Sequence, residues 1–180
     1  MASEISGRYG EALFQLARED SAVREMREEA MILRKEIENT PDLLIFFRAV
    51  QIPDGEKKEA IDRMFQGFSR TMRNFLKLLI DKDRTYYLKE ILDTFIGRCN
   101  QELNIETAVV SSARALSETD LKRIREALEK KTGKEIVLTN VVDESLIAGI
   151  KVTSGSTVTD VTTAHRINEM KDLLLRGGMG

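Results

Sequence analysis

The chain has 180 residues, 42% of them hydrophobic and 32% charged, with a formal net charge of −2. That length accommodates one domain or two small ones, and the composition is that of a folded chain with a polar surface. Its 28 basic residues are interspersed with 30 acidic ones, which gives no reason to expect nucleic acid as a partner.

The single cysteine, Cys99, excludes an internal disulfide and fits a reducing compartment. The segment "MASEISGRYGEALF" carries Glu4 and no apolar core, so it does not read as a signal peptide. The longest apolar run, "LLIFF" at 43–47, is far shorter than the ~20 residues that span a bilayer. Work at a membrane would therefore require a partner to hold the chain there.

Two prolines in the whole chain predict long helices and few irregular loops. Helices are expected near 3–18, 20–38, 41–49, 55–67, 70–81 and 84–103, joined by short polar connections as in a compact antiparallel bundle. Thr40 is read as an N-cap with Pro41 at the first helical position, and Asp54 as the cap of the next helix. In the last of these helices Leu88, Ile91, Leu92, Phe95, Cys99 and Leu103 recur at helical spacing. Cys99 on that stripe is expected to be a buried, inert small hydrophobe.

Near residue 105 the texture changes. "ETAVVSSA" (106–113) reads as a strand. A helix follows, with Ser117 as cap, Asp120 three residues on as in a capping box, and Gly133 as terminator. "EIVLTNVVD", "SLIAGIKVTSG" and "STVTD" read as further strands, and "VTTAHRINEMKDLLLRG" as a closing helix. The expected fold is mainly α: a six-helix bundle over 1–105 and a small α/β domain over 106–180, with the boundary near 103–106.

The segment "GIKVTSGSTVTDVTTAH" (149–165) invites a phosphate-loop reading. A P-loop needs Lys followed by Ser or Thr after its second glycine, and must run directly from strand to helix. Here there is no lysine in "TSGST", and the β-type run "STVTD" intervenes. Gly155-Ser156 is read instead as a two-residue hairpin turn, with Asp160 or Thr162 capping the helix beyond. His165, the only histidine, falls away from Ile167, Met170 and Leu174 at ~100° per residue, so it is expected to face solvent. No second histidine or further cysteine exists to share a metal, and "SGS" lacks the spacing of a nucleophile elbow. No catalytic constellation, metal site or cofactor site is expected.

The informative anomaly is apolar width. A helix packed on one side needs an apolar arc a little over ~100° wide. Leu121, Ile124, Ala127 and Leu128 of the helix at 117–131 fall within about 120°. In the helix at 70–81, Met72, Phe75, Leu76, Leu78, Leu79 and Ile80 spread over about 200°. In the first helix Ile5, Tyr9, Leu13, Phe14, Leu16 and Ala17 cover about 180° to 200°. Either both helices are central and buried on two sides, or each has a second face that receives a foreign amphipathic helix. Gly10, Ala12 and Ala17 lean toward the second reading, because small residues admit a close helix. Pattern alone leaves both open.

"GRYGEALFQLA", "NFLKLLIDKDRTYYLKEILDTF" and "LEKKTGKEIVLTNVVDESLIAGIKVTSGSTVTD" occur in that order, and they resemble the delta subunit of bacterial ATP synthase. The mitochondrial relative of that family is the oligomycin-sensitivity-conferring protein. The sharpest marks are Arg8-Tyr9 with Ala12-Leu13-Phe14, "LLIDKDR" (78–84) and "VDESLIAGI" (142–150).

The resemblance implies a six-helix bundle followed by an α/β domain, and a non-catalytic stator role in the peripheral stalk of a proton-translocating ATP synthase. It implies that the N-terminal helix of an alpha subunit enters a groove between the first and fifth helices. That groove would use Tyr9, Leu13, Phe14 and Ala17 on the first helix, with Asn74, Phe75, Leu78 and Leu79 on the fifth. The α/β domain would meet the C-terminal regions of the b subunits, on the cytoplasmic face of a bacterial membrane. Two departures from the family pattern stand out: Ala148-Gly149 in place of paired glycines, and Gly10 where alanine is common. The alternative is a helical-bundle adaptor of another multi-subunit complex; a nucleotide-binding enzyme built on the C-terminal half is weaker still.

Overall fold

The computed structural model describes residues 2–143, 146, 149–154 and 157–162. The chain divides into two compact units, Met1–Leu103 and Asn104–Gly180. The first holds six α-helices: α1 (Ala2–Glu19), α2 (Val23–Asn39), α3 (Pro41–Arg48), α4 (Asp54–Met64), α5 (Arg70–Asp81) and α6 (Leu88–Glu102). A 3-10 turn, Thr85–Tyr87, precedes α6. α6 lies against both α1 and α2, and α5 lies between α4 and α1. The expected stripe on α6 is the centre of this unit: Leu88, Ile91, Leu92, Phe95 and Cys99 are all buried, packed with Leu13, Met26, Leu33 and Leu79.

Several boundaries differ from the sequence expectation, each for a local reason. α2 begins three residues later than expected because α1 ends in a Schellman motif. Ser21 takes the left-handed conformation (φ 53°). Its N–H then donates to Arg18 C=O (3.0 Å), and that of Ala22 to Ala17 C=O (2.8 Å). The same motif ends α5 at Asp83 (φ 53°), with Asp83 N–H on Ile80 C=O (3.0 Å) and Arg84 N–H on Leu79 C=O (2.8 Å). The expected helix over 84–103 is divided at Tyr87 into the 3-10 turn and α6.

α4 stops at Met64 rather than 67, where Phe65 turns inward and Phe68 stacks on it at 5.0 Å between ring centroids. Asp54 does not cap α4. Pro53 holds the N-cap position without a side-chain bond, and the Asp54 carboxylate in the first turn meets Lys57 Nζ at 3.3 Å. Thr40 does hold the N-cap of α3, with Pro41 next, but its side chain makes no cap bond.

Charged side chains fasten the helices to one another. Ser69 is the N-cap of α5, its Oγ accepting from Met72 N–H (3.2 Å). The buried Glu29 of α2 in turn accepts from Ser69 N–H and, at 2.8 Å, from Ser69 Oγ. Asp62 of α4 is paired with Lys77 (2.7 Å) and Arg73 (3.2 Å) of α5. The hydrogen bond from Lys77 is the main cause that holds its carboxyl below the usual range.

The second unit carries β1 (Ile105–Ser112), α7 (Glu118–Thr132), β2 (Glu135–Val142), β3 (Gly149–Ser154) and β4 (Thr157–Thr162). They form one four-stranded sheet in the order β2-β1-β3-β4. β1 and β2 are parallel, Ile105 opposite Glu135, joined through α7, as a parallel pair requires a crossover. β1–β3 and β3–β4 are antiparallel.

Ala108, Val110, Ile136 and Val152 are buried, with Ile124 and Leu128 of α7 packed against them. Ser117 caps α7 by accepting from Asp120 N–H at 3.2 Å, and Gly133 ends it at φ 69°, both as the sequence predicts. Ala127, placed on the apolar arc by spacing, is exposed. Of the expected run from Ser145, β3 takes in Gly149–Ser154, and Ser145, Ile147 and Ala148 lie outside the described residues. Asp160 and Thr162, read as possible caps, are residues of β4. Ser154 lies opposite Thr157. The predicted turn residues Gly155 and Ser156, Ala148, the closing helix and His165 lie outside the described residues.

Candidate partner-binding site

The two helices with over-wide apolar arcs are neighbours. Tyr9 of α1 meets Phe75 of α5 edge-on, ring centroids 6.4 Å apart at 65°. Thr71 Oγ1 at the start of α5 donates to Asp20 Oδ2 beyond the end of α1 (2.7 Å). The helices thus run in opposite senses where they meet.

On α1 the wide arc is two stripes. Leu13, Phe14 and Ala17, with Ser6 and Gly10, are buried within an arc of about 100° at ~100° per residue. Ile5, Tyr9, Ala12 and Leu16 fall within a second stripe about 60° wide. Ile5 and Tyr9 there are half-buried, Ala12 is exposed, and Leu16 is 43% exposed. On α5, Met72, Phe75, Leu76, Leu79 and Ile80 are buried between α4 and α1. Leu78 stands apart at 41% exposure, and Asn74 beside it is exposed.

The eight residues singled out by sequence therefore divide. Leu13, Phe14, Ala17, Phe75 and Leu79 belong to the core of the helical unit. Tyr9, Asn74 and Leu78 offer surface. Leu16, Ile5 and Ala12 were missing from that set, although their spacing of three and four residues marks the outer stripe. Gly10 and Ala17 do not serve a foreign helix. A Cβ on Gly10 would lie 2.8 Å from Thr94 Cβ of α6 and 3.1 Å from Ile91 C=O, so its smallness serves the contact of α1 with α6.

The electrostatics around this face are those of fastened helices rather than of a reactive centre. Arg98 of α6 pairs with Glu11 of α1 at 2.7 Å. The hydrogen bond that Gln15 donates to Glu11 is the first cause lowering its carboxyl, with Arg98 adding to it. Burial pushes the Cys99 thiol up to about 12, against a smaller opposing effect of Arg27. The thiolate, the reactive form, is thereby suppressed, as expected for an inert cysteine. Among the described residues there is no group of three or more histidine, cysteine or carboxylate side chains placed to hold a metal. Nor, among them, is any helix long and apolar enough to cross a membrane.

The sequence profile described as the ATP synthase delta (OSCP) subunit matches residues 5–174. The chain belongs to the ATP synthase delta (OSCP) family. It is similar to ATP synthase subunit delta of Syntrophomonas wolfei, 35% identical over 171 residues that cover 94% of each chain. It is also similar to that of Clostridioides difficile strain 630, 33% identical over 183 residues covering 97% of each. Its fold is similar to that of a chain in the cryo-EM structure of the Toxoplasma gondii mitochondrial ATP synthase hexamer. There the TM-score is 0.66 at 20% identity, over 94% of this chain and 97% of the other. Members of the delta family are thus named as subunits of an ATP synthase, and the helical unit followed by a small mixed sheet is the fold this chain brings to that family.

Proposed function

We propose that this chain is a non-catalytic stator subunit in the peripheral stalk of a rotary, proton-translocating ATP synthase. It links the catalytic head to the membrane-anchored stalk and holds the head against the torque of the turning shaft. In this reading it works peripherally, at the cytoplasmic face of a bacterial membrane, with no active site or cofactor of its own. The α1/α5 face takes the N-terminal helix of an alpha subunit, and the unit from Asn104 onward meets the C-terminal regions of the b subunits.

The observation that carries the reading is the outer stripe of α1, with its Tyr9 against Phe75 of α5 and Leu78 exposed on that helix, on a chain that belongs to the delta family. An amphipathic helix laid there buries Leu16, Tyr9 and Leu78 and finds Asn74 at its polar edge. Buried apolar area supplies affinity, and the polar rim fixes register. Resistance to torque requires slow dissociation, which is how tight interfaces are tuned.

The test is calorimetric titration with a synthetic peptide from the N-terminus of an alpha subunit of the same source. One saturable site is expected, with negative ΔCp from apolar burial. Leu16→Asp and Leu78→Asp should each weaken binding at least about tenfold, since a charge set in an apolar contact is desolvated without a partner. Binding that both folded variants retain unchanged would refute the α1/α5 face as the docking surface.

A further inference from the structure

A second apolar depression lies on the helical unit, built from α2, α3 and the end of α4, and it shares no residue with the α1/α5 face. One part, about 450 Å3, is walled by Ile32 and Glu36 of α2, Leu43 of α3, and Met64, Phe65 and Phe68. An adjoining part, about 470 Å3, continues past Met64 along α4 to Phe46, Arg63 and Glu56. Met64 stands on the wall of both, so the two depressions are neighbours along the end of α4. Ile32 is 53% exposed and Met64 49%, although both sit where helical spacing on their own elements would allow polar residues. Apolar side chains left open along a concave strip of this size mark an interaction surface.

The charge on the groove selects the occupant. Glu36 and Glu56 flank it at its two parts, and neither carboxylate has an ion-pair partner among the described residues. Among the described residues on the wall the cation is Arg63, which lies 3.0 Å from Glu59 one turn away, so two carboxylates face one arginine. The rim is therefore net negative around an apolar floor. We propose that this groove is a second docking site of the helical unit, and that its occupant is a cationic amphipathic helix of a partner chain. Large apolar side chains on one face of that helix would cover Ile32, Met64 and Phe68, while lysines or arginines at its edges would pair with Glu36 and Glu56. This does not rest on the stator reading, because neither α1 nor α5 contributes to the groove.

The probe is a fluorescein-labelled 16-residue amidated peptide of leucine, alanine and lysine, with leucines at helical i, i+3, i+4, i+7 spacing. It is titrated by anisotropy into the full chain. A twin peptide carries glutamate in place of lysine. The lysine peptide should bind saturably at one site, and the glutamate peptide at least tenfold more weakly. Glu36→Lys/Glu56→Lys should lower the affinity for the lysine peptide at least tenfold and raise it for the glutamate twin. Met64→Ser, an exposed change, should weaken both without altering the circular dichroism, whereas Leu78→Asp should leave both unchanged. Equal binding of the two peptides would overturn the proposal, as would loss of binding in Leu78→Asp or the absence of binding by folded protein. A concentration-dependent dimer that Met64→Ser dissolves would name a second copy as occupant and overturn it equally.

Discussion

Gly10 shows how a single residue settles the spacing of two helices. Its missing Cβ leaves room for Thr94, and Thr94 is held in place because its Oγ1 donates to Glu90 C=O at 2.9 Å. An alanine at position 10 gains about 1 kcal/mol of helix propensity but must push α1 from α6, which costs about 1–3 kcal/mol in a packed interior. The contact is with a branched, hydrogen-bonded side chain rather than a flexible tip, so the packing cost wins. Gly10→Ala is expected to lower stability in urea titration. Gly10→Ala/Thr94→Gly, which moves the gap to the other helix, should lose less than the sum of the two single changes. Additivity of the pair would show that Thr94 is not the obstacle.

Cys99 yields a second prediction at this scale. With its thiol pushed up from 9.0 to about 12 by burial, the folded state favours the protonated form. Its contribution to stability is complete below the unfolded value and is lost as pH rises from about 9 toward 12. Ellman's reagent should therefore react with the native chain at pH 8 only at the rate of unfolding, and at once in denaturant. Rapid native reaction would contradict the burial of Cys99.

At the scale of elements, adjacent leucines of α5 have opposite duties. Leu79 is 1% exposed inside the core and Leu78 is 41% exposed outside it. Leu79→Ala should cost about 2–5 kcal/mol, and Leu78→Ala well under 1 kcal/mol, as read from denaturant midpoints at constant slope. Equal losses would mean that α5 is rotated from the orientation described.

The same helix shows what was legible beforehand. The total width of its apolar arc could be counted from spacing, and so could the stripe on α6 from Leu88 to Cys99, because both depend only on a fixed turn per residue. Which part of the arc faces inward could not be counted, since it depends on where α4 and α1 lie, and those contacts join residues far apart in sequence. The split on α1 between Leu13 and Leu16 was hidden for that reason. The late start of α2 was missed for another: Ser21 takes a left-handed turn that glycine or asparagine usually signals. Capping by Ser117 and termination by Gly133 were readable because their chemistry is local.

At the scale of the whole molecule, the division at Leu103 separates two units, each with a core of its own. The helical unit has its own core, which runs from Leu13 to Cys99 among the described residues. The sheet unit has its own, around Ala108, Val110, Ile136 and Val152. A domain of about 100 residues with one such core is of a size that folds alone. The outer stripe on α1 and Leu78 on α5 both lie within it. If a stator subunit grips the head with one unit and the stalk with the other, the head-binding function should travel with residues 1–103. That fragment is expected to unfold in a single cooperative thermal transition, followed by circular dichroism at 222 nm. It should also bind the alpha-subunit peptide within about twofold of the full chain, because every residue assigned to the docking face lies in the first unit. A fragment that folds yet binds much more weakly would mean that residues beyond Leu103 complete the docking surface, and the stalk-side unit would then take part in holding the head.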